Sequence, residues 1–114
     1  MTIEAFYSVR SEGATGPGFA MIVLDTGRVV GADLPGVRYD GTYQLDNKTD
    51  VITLDVKVTV PAGVPLVTGV PAQPEEYDFR FKASVKMDDL ETPITITSPR
   101  GNIDCVFRKV RELW

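Results

Sequence analysis

The stretch from Gly18 to Leu45, GFAMIVLDTGRVVGADLPGVRYDGTYQL, holds three apolar runs separated by two compact turn signals, Asp25-Thr26-Gly27 and Leu34-Pro35-Gly36. Gly and Asp tolerate or stabilise the backbone angles of a tight turn, and the Phe, Met, Ile, Val and Tyr between them suit a pleated, half-buried surface. The stretch therefore reads as a three-stranded antiparallel meander. Such a ribbon has an apolar face to cover and two open edges, so the rest of the chain must close around it.

Working outward, Ile3 to Arg10 alternates, with Ile3, Ala5, Tyr7 and Val9 on one side, and predicts a first strand. Ser11 to Gly18, with three glycines and a proline in eight residues, predicts a loop. Beyond the meander, Asp46-Asn47-Lys48-Thr49-Asp50 is a polar turn leading into Val51 to Val60, whose Ile, Leu and Val residues alternate with Thr, Asp and Lys. No helical period fits that run. Glu76 to Met87 repeats the pattern with Tyr77, Phe79, Phe81, Ala83 and Val85 on one face. Asp88 to Glu91 predicts a helical turn, Pro93 to Ser98 a short strand, and Ile103 to about Val110 a last strand whose end, Arg108 to Trp114, is open to a helical turn instead. About eight strands with sequential turns and no full-length helix predict an all-β, antiparallel up-and-down barrel. Closure removes the edges and leaves an interior either filled by side chains or able to hold one small ligand.

Between the two clearest strands lies Pro61 to Glu75, PAGVPLVTGVPAQPE, whose four prolines exclude a central strand. It also carries Val64, Leu66, Val67 and Val70, which a disordered loop would leave in water. This segment is expected to fold onto the domain or to meet a partner, against the plain alternative of a mobile hairpin loop.

At 114 residues the chain fits one domain, residues 1–114, with average hydrophobic (43 %) and charged (25 %) content. The longest apolar run, Phe19 to Leu24, is too short to span a bilayer, and the start Met1-Thr2-Ile3-Glu4 lacks the basic and apolar segments of a secretory signal. A cytoplasmic protein is the expectation, to which a single cysteine, Cys105, conforms. Cys105 lies in step with Ile103 and Phe107 and reads as a small core residue. The absence of histidine removes His-assisted hydrolysis and His-ligated metals. A net charge of −4 argues against nucleic acid as the direct partner. Neither a cofactor nor a metal is expected, because the glycines form no phosphate loop and the acids are scattered.

Val23-Leu24-Asp25-Thr26-Gly27 matches the core of the dimeric aspartic proteases, in which two carboxylates share a proton. Arg28 follows, a large cation where that site needs close packing, so hairpin chemistry is the better reading and Asp25 is not expected to be catalytic. Asn47-Lys48-Thr49 matches a glycosylation acceptor but reads as a turn.

The order Phe6-Tyr7-Ser8, Gly16 and Gly18, Gly27, Gly31-Ala32-Asp33 and Tyr39-Asp40-Gly41-Thr42-Tyr43 resembles the GrlR-like family, named for a negative regulator of type III secretion. The resemblance covers most of the chain in layout. It implies an eight-stranded, lipocalin-like barrel that can dimerise and that represses by binding a transcriptional activator. The regulator of that family carries an acidic run before the strand matching Val51 to Val60, implicated in partner binding. Here the segment retains only Asp46 and Asp50, around a lysine, so the particular partner does not transfer with the fold.

The leading expectation is a non-enzymatic regulator that binds a protein through Asp46, Asp50 and the Val64, Leu66, Val67 and Val70 loop. The alternative is a carrier of a small apolar molecule, with Tyr7, Tyr39, Tyr43, Tyr77, Phe79 and Phe81 as candidate cavity walls. A hollow interior favours the carrier and a packed one the binding module. Phe19 to Leu24 is apolar on both faces, so one set of side chains must face outward, and a homodimer burying it is expected.

Overall fold

The computed structural model describes residues 3–114; Met1 and Thr2, which begin the segment read for a secretory signal, lie outside them. Eight strands run up and down: β1 (Ala5–Gly13), β2 (Gly16–Asp25), β3 (Arg28–Asp33), β4 (Arg38–Asp46), β5 (Val51–Val60), β6 (Tyr77–Lys86), β7 (Ile94–Ser98) and β8 (Gly101–Glu112), with a 3-10 turn at Met87–Asp89. All ladders are antiparallel, in the order β6-β5-β4-β3-β2-β1-β8-β7. Strands β6 and β7 come alongside each other without joining in a ladder, which leaves the barrel nearly closed, with one seam.

The meander is β2, β3 and β4. Its first turn is Thr26-Gly27, both with positive φ (49° and 80°), the backbone that a two-residue hairpin needs to match strand twist. In the second turn Asp33 Oδ1 accepts the backbone N–H of Gly36 (3.1 Å) and of Val37 (2.9 Å), so the side chain fixes the reversal.

Two expected boundaries are corrected. Ser11 to Gly18 is not a loop: β1 and β2 continue through it, Gly13 faces Gly16, and only Ala14-Thr15 remains as the turn. Gly13 there makes room rather than breaking a strand, because a Cβ would strike the backbone carbonyl of Val67, with Thr68 N at 3.0 Å. Pro17 lies where β2 has outrun β3, whose pairing begins at Ala20, so one side of the strand has no ladder to serve. The chain end does not curl: β8 runs to Glu112, and an irregularity opposite Phe6 and Tyr7 absorbs one extra residue as a bulge does.

Alternation carries Tyr7, Leu24, Val29, Tyr43, Ile52, Leu54 and Val85 inward, where they are buried. Leu90, just after the 3-10 turn, is buried in the core at the end of the barrel that holds the β4–β5 turn. Its segment is tied down by the Met87 N–H to the Asp50 carbonyl (2.8 Å) and by the Lys109 N–H to Glu91 Oε1 (2.8 Å). The outer faces of β5 and β6 carry Asp55, Lys57, Asp78, Arg80 and Lys82, a face suited to water rather than to the lipid-facing band of a membrane barrel. No described helix is long and apolar enough to cross a membrane.

Candidate functional site

The half of the barrel away from Leu90 is hollow. A cavity of about 440 Å³ lies between β1, β2, the β3–β4 turn, β4, β5, β6, β7 and β8. Its walls are Val9, Ile22, Tyr39, Val58, Phe79, Phe81, Ile96, Ile103, Cys105 and Phe107. Small residues, Ser11, Gly18, Ser98 and Gly101, occupy wall positions towards the mouth. They leave the centre unfilled where the opposite end has Tyr7, Tyr43 and Leu90.

The mouth is roofed by the segment between β5 and β6. Val64, Pro65, Leu66, Val67 and Thr68 all line the cavity, and Val64 and Leu66 pack against the core. The roof is tied within itself, by the Leu66 N–H to the Val70 carbonyl (2.9 Å) and the Gly63 N–H to the Gln73 carbonyl (2.8 Å). It is also fastened to the β1–β2 turn, where the Thr15 N–H (2.9 Å) and hydroxyl (3.0 Å) both donate to the Val67 carbonyl. The mobile-loop alternative gives way to a folded lid. At the rim Leu34 is 94 % exposed and Phe19 51 %, so the approach to the mouth is itself apolar.

Polar chemistry is confined to a few places. Asp33 sits at the mouth, its Oδ2 accepting the Tyr39 hydroxyl at 3.3 Å. Loss of water around the Asp33 carboxyl raises its pKa despite these hydrogen bonds, and burial likewise raises that of the Tyr39 phenol. Cys105 is a free, buried thiol pushed up to about 11 by burial and then by Asp104, which makes it an inert wall rather than a nucleophile. The Thr68 hydroxyl is buried and has no hydrogen-bond partner among the described residues.

The candidate cavity residues divide along the barrel axis. Tyr39, Phe79 and Phe81 line the cavity, whereas Tyr7 and Tyr43 belong to the packed end. Tyr77 does not line the cavity; half-buried against the core, it lies beneath the Arg100 guanidinium, 5.0 Å from its ring centre. Of the loop residues, Val64, Leu66 and Val67 turn to the cavity, and Val70 is half-buried in the lid. Asp46 and Asp50 are exposed in the β4–β5 turn, at the opposite end, so the structure does not bring them together with the loop. Asp46 borders a second depression with Gln44, Leu45, Thr49, Val51 and Thr53, all from one hairpin that cannot enclose a ligand. Asp25 flanks the Thr26-Gly27 turn, with its Oδ1 accepting the Thr26 hydroxyl at 2.9 Å. Sequence reasoning does not count Asp33 or the β7–β8 wall among the cavity residues: Ile103, Cys105 and Phe107 alternate but read as core, and the inward alternation of Val29, Gly31 and Asp33 is the signal that could have found Asp33.

No family model and no curated protein matches the chain. The resemblance to the GrlR-like family accordingly rests on the residues that carry it.

Proposed function

We propose that this protein is a non-enzymatic binding barrel that takes one small apolar molecule beneath the lid formed by residues 61–75. The observation that carries this reading is the apolar cavity of about 440 Å³, a volume within the ordinary range for small-molecule sites, under a loop folded to cover it. The test is a fluorescence titration with N-phenylnaphthylamine, a neutral apolar dye that brightens out of water. Saturable binding of one dye per chain is expected. Val58→Phe, which adds a ring to the cavity wall, is expected to weaken it roughly tenfold or more while leaving the protein folded by thermal melting. Absence of saturable binding by the parent protein contradicts the reading.

A second reading, regulation by protein binding as the resemblance implies, is favoured by a different surface. On the outside of β1, β2 and β3, Phe6 lies opposite Val23, Val23 opposite Val30, and Met21 opposite Ala32. Phe6, Phe19, Met21 and Val30 are all substantially exposed there, and the lid does not cover them. On this reading the chain works in the cytoplasm, pairs with itself through that face, and acts on a protein such as a transcriptional regulator. Each large side chain buried contributes roughly 1.5–3 kcal/mol, enough in number to offset much of the cost of association. Sedimentation equilibrium is expected to show a dimer at high micromolar concentration that Met21→Lys converts to monomer. A monomer throughout removes the self-association. Ile22→Lys is no test of this face, because Ile22 points inward and is buried.

A further inference from the structure

Among the described residues that line the cavity, Asp33 alone carries a formal charge. Its turn needs only one of its two oxygens: Oδ1 takes both the Gly36 and the Val37 N–H groups. An asparagine would supply the same oxygen without bringing a charge to an apolar mouth. The second oxygen, Oδ2, receives a single long bond of 3.3 Å from Tyr39, and a carboxylate oxygen has room for another donor. Burial disfavours the ionised carboxylate at this place, and the three hydrogen bonds only partly offset that. A cation arriving from the cavity side would relieve it. Among the described residues no lysine or arginine lines the cavity to do so from within the chain.

Resting on the cavity reading above, we propose that the ligand class is apolar amines, with the hydrocarbon body in the cavity and the ammonium group at Oδ2 of Asp33. The same geometry discriminates against fatty acids, whose carboxylate would meet Asp33 with no cation between them. It gives an alcohol of equal length a place, but only the weaker interaction of a neutral donor.

Displacement of bound N-phenylnaphthylamine by decylamine, decanol and decanoate, at neutral pH and below their micelle-forming concentrations, tests this on the intact protein. Decylamine is expected to compete at a roughly tenfold lower concentration than decanol, as a partly exposed ion pair allows, and decanoate to be the weakest of the three. In Asp33→Asn, which preserves the turn acceptor, the advantage of the amine is expected to shrink to within about twofold while decanol is unaffected. N-decylacetamide, which keeps the chain and an N–H but no charge, reads the same point without a mutation and is expected to match decanol. Equal competition by amine and alcohol, better competition by decanoate, or an amide as good as the amine overturns the amine assignment and leaves the cavity reading standing. A protein that never binds the dye, or a bound dye that none of the three displaces, defeats the cavity reading and this proposal with it.

Discussion

Tyr7→Ala lowers the free energy of unfolding by about 3–5 kcal/mol, whereas Tyr7→Phe lowers it by only about 1 kcal/mol. Tyr7 is 1 % exposed at the packed end of the barrel, where its ring meets Phe107 edge-on at 6.1 Å between centroids. Its hydroxyl donates to the Ile3 carbonyl at 2.6 Å and thereby ties down the segment leading into β1. Truncation to Ala leaves a void between β1, β2 and β8 that two-sided pairing prevents from collapsing. Removing the hydroxyl alone keeps the packing and loses one hydrogen bond. Set against a total of about 5–15 kcal/mol for a domain of this kind, the first change uses up a large fraction of the stability. Equilibrium urea unfolding measures both. The phenol adds a pH dependence: burial, then the nearby Tyr43, Glu91 and Glu112, raise its pKa from 10.0 to about 12. A folded-state value above the unfolded one means that the stability is fully present below pH 10.0 and is lost as the pH rises through about 12. Tyr7→Phe should lessen that alkaline loss without abolishing it, since Tyr39 and Tyr43 are also raised.

Gly41→Ala is expected to cost about 3 kcal/mol or more, at the upper end of the range for overpacking. Gly41 lies on the inward face of β4, opposite Val29 on β3 and Val56 on β5. A Cβ there would overlap the Asp55 carbonyl oxygen and come within 2.8 Å of Val56 Cα. Those atoms are backbone in a ladder and cannot swing aside as a side-chain tip can. The glycine lets the sheet curl tightly between β4 and β5, a bend that closure of a small barrel needs. The corresponding fall in melting temperature is roughly 10 °C or more for a chain of this length. Thr42→Ala, one residue along on the exposed face, serves as the control and should stay within about 0.5 kcal/mol of the parent. An equal and small effect at both positions would show that β4 and β5 are not as closely apposed as described.

The strand plan was legible because strict alternation in Val51–Val60 and Tyr77–Lys86 allows no other regular element, and because Thr26-Gly27 and the Asp33 turn carry their chemistry locally. Glycine misled between Ser11 and Gly18, where its role is set by Val67 more than fifty positions away in the chain. The site was half legible for a related reason. Period two says that Tyr7, Tyr39, Tyr43, Phe79 and Phe81 face the interior, but says nothing of their depth along the barrel axis. Depth is what separates the packed end, where Leu90 is buried, from the hollow end under the lid. That residues 61–75 fold onto the domain was one of the two outcomes expected from Val64, Leu66, Val67 and Val70, but where they fasten was out of reach, since the anchor is the Thr15 backbone and hydroxyl in a distant turn. Asp33 entered the sequence reading only within Gly31-Ala32-Asp33; that it stands at the cavity mouth beside Tyr39 depends on the fold bringing β3, its following turn and β4 to that end of the barrel.

The proposed ligand site is the hollow end of the barrel and not its outer sheet. Two-dimensional amide NMR spectra recorded during a titration with decanol distinguish the two surfaces. Binding in the cavity is expected to give shifts that saturate at one ligand per chain and that centre on Tyr39, Phe81, Ile96 and Cys105 in the walls and on Val64 and Leu66 in the lid. Shifts that never saturate, or that are confined to Phe6, Met21 and Val30 on the outside of β1, β2 and β3, would contradict it.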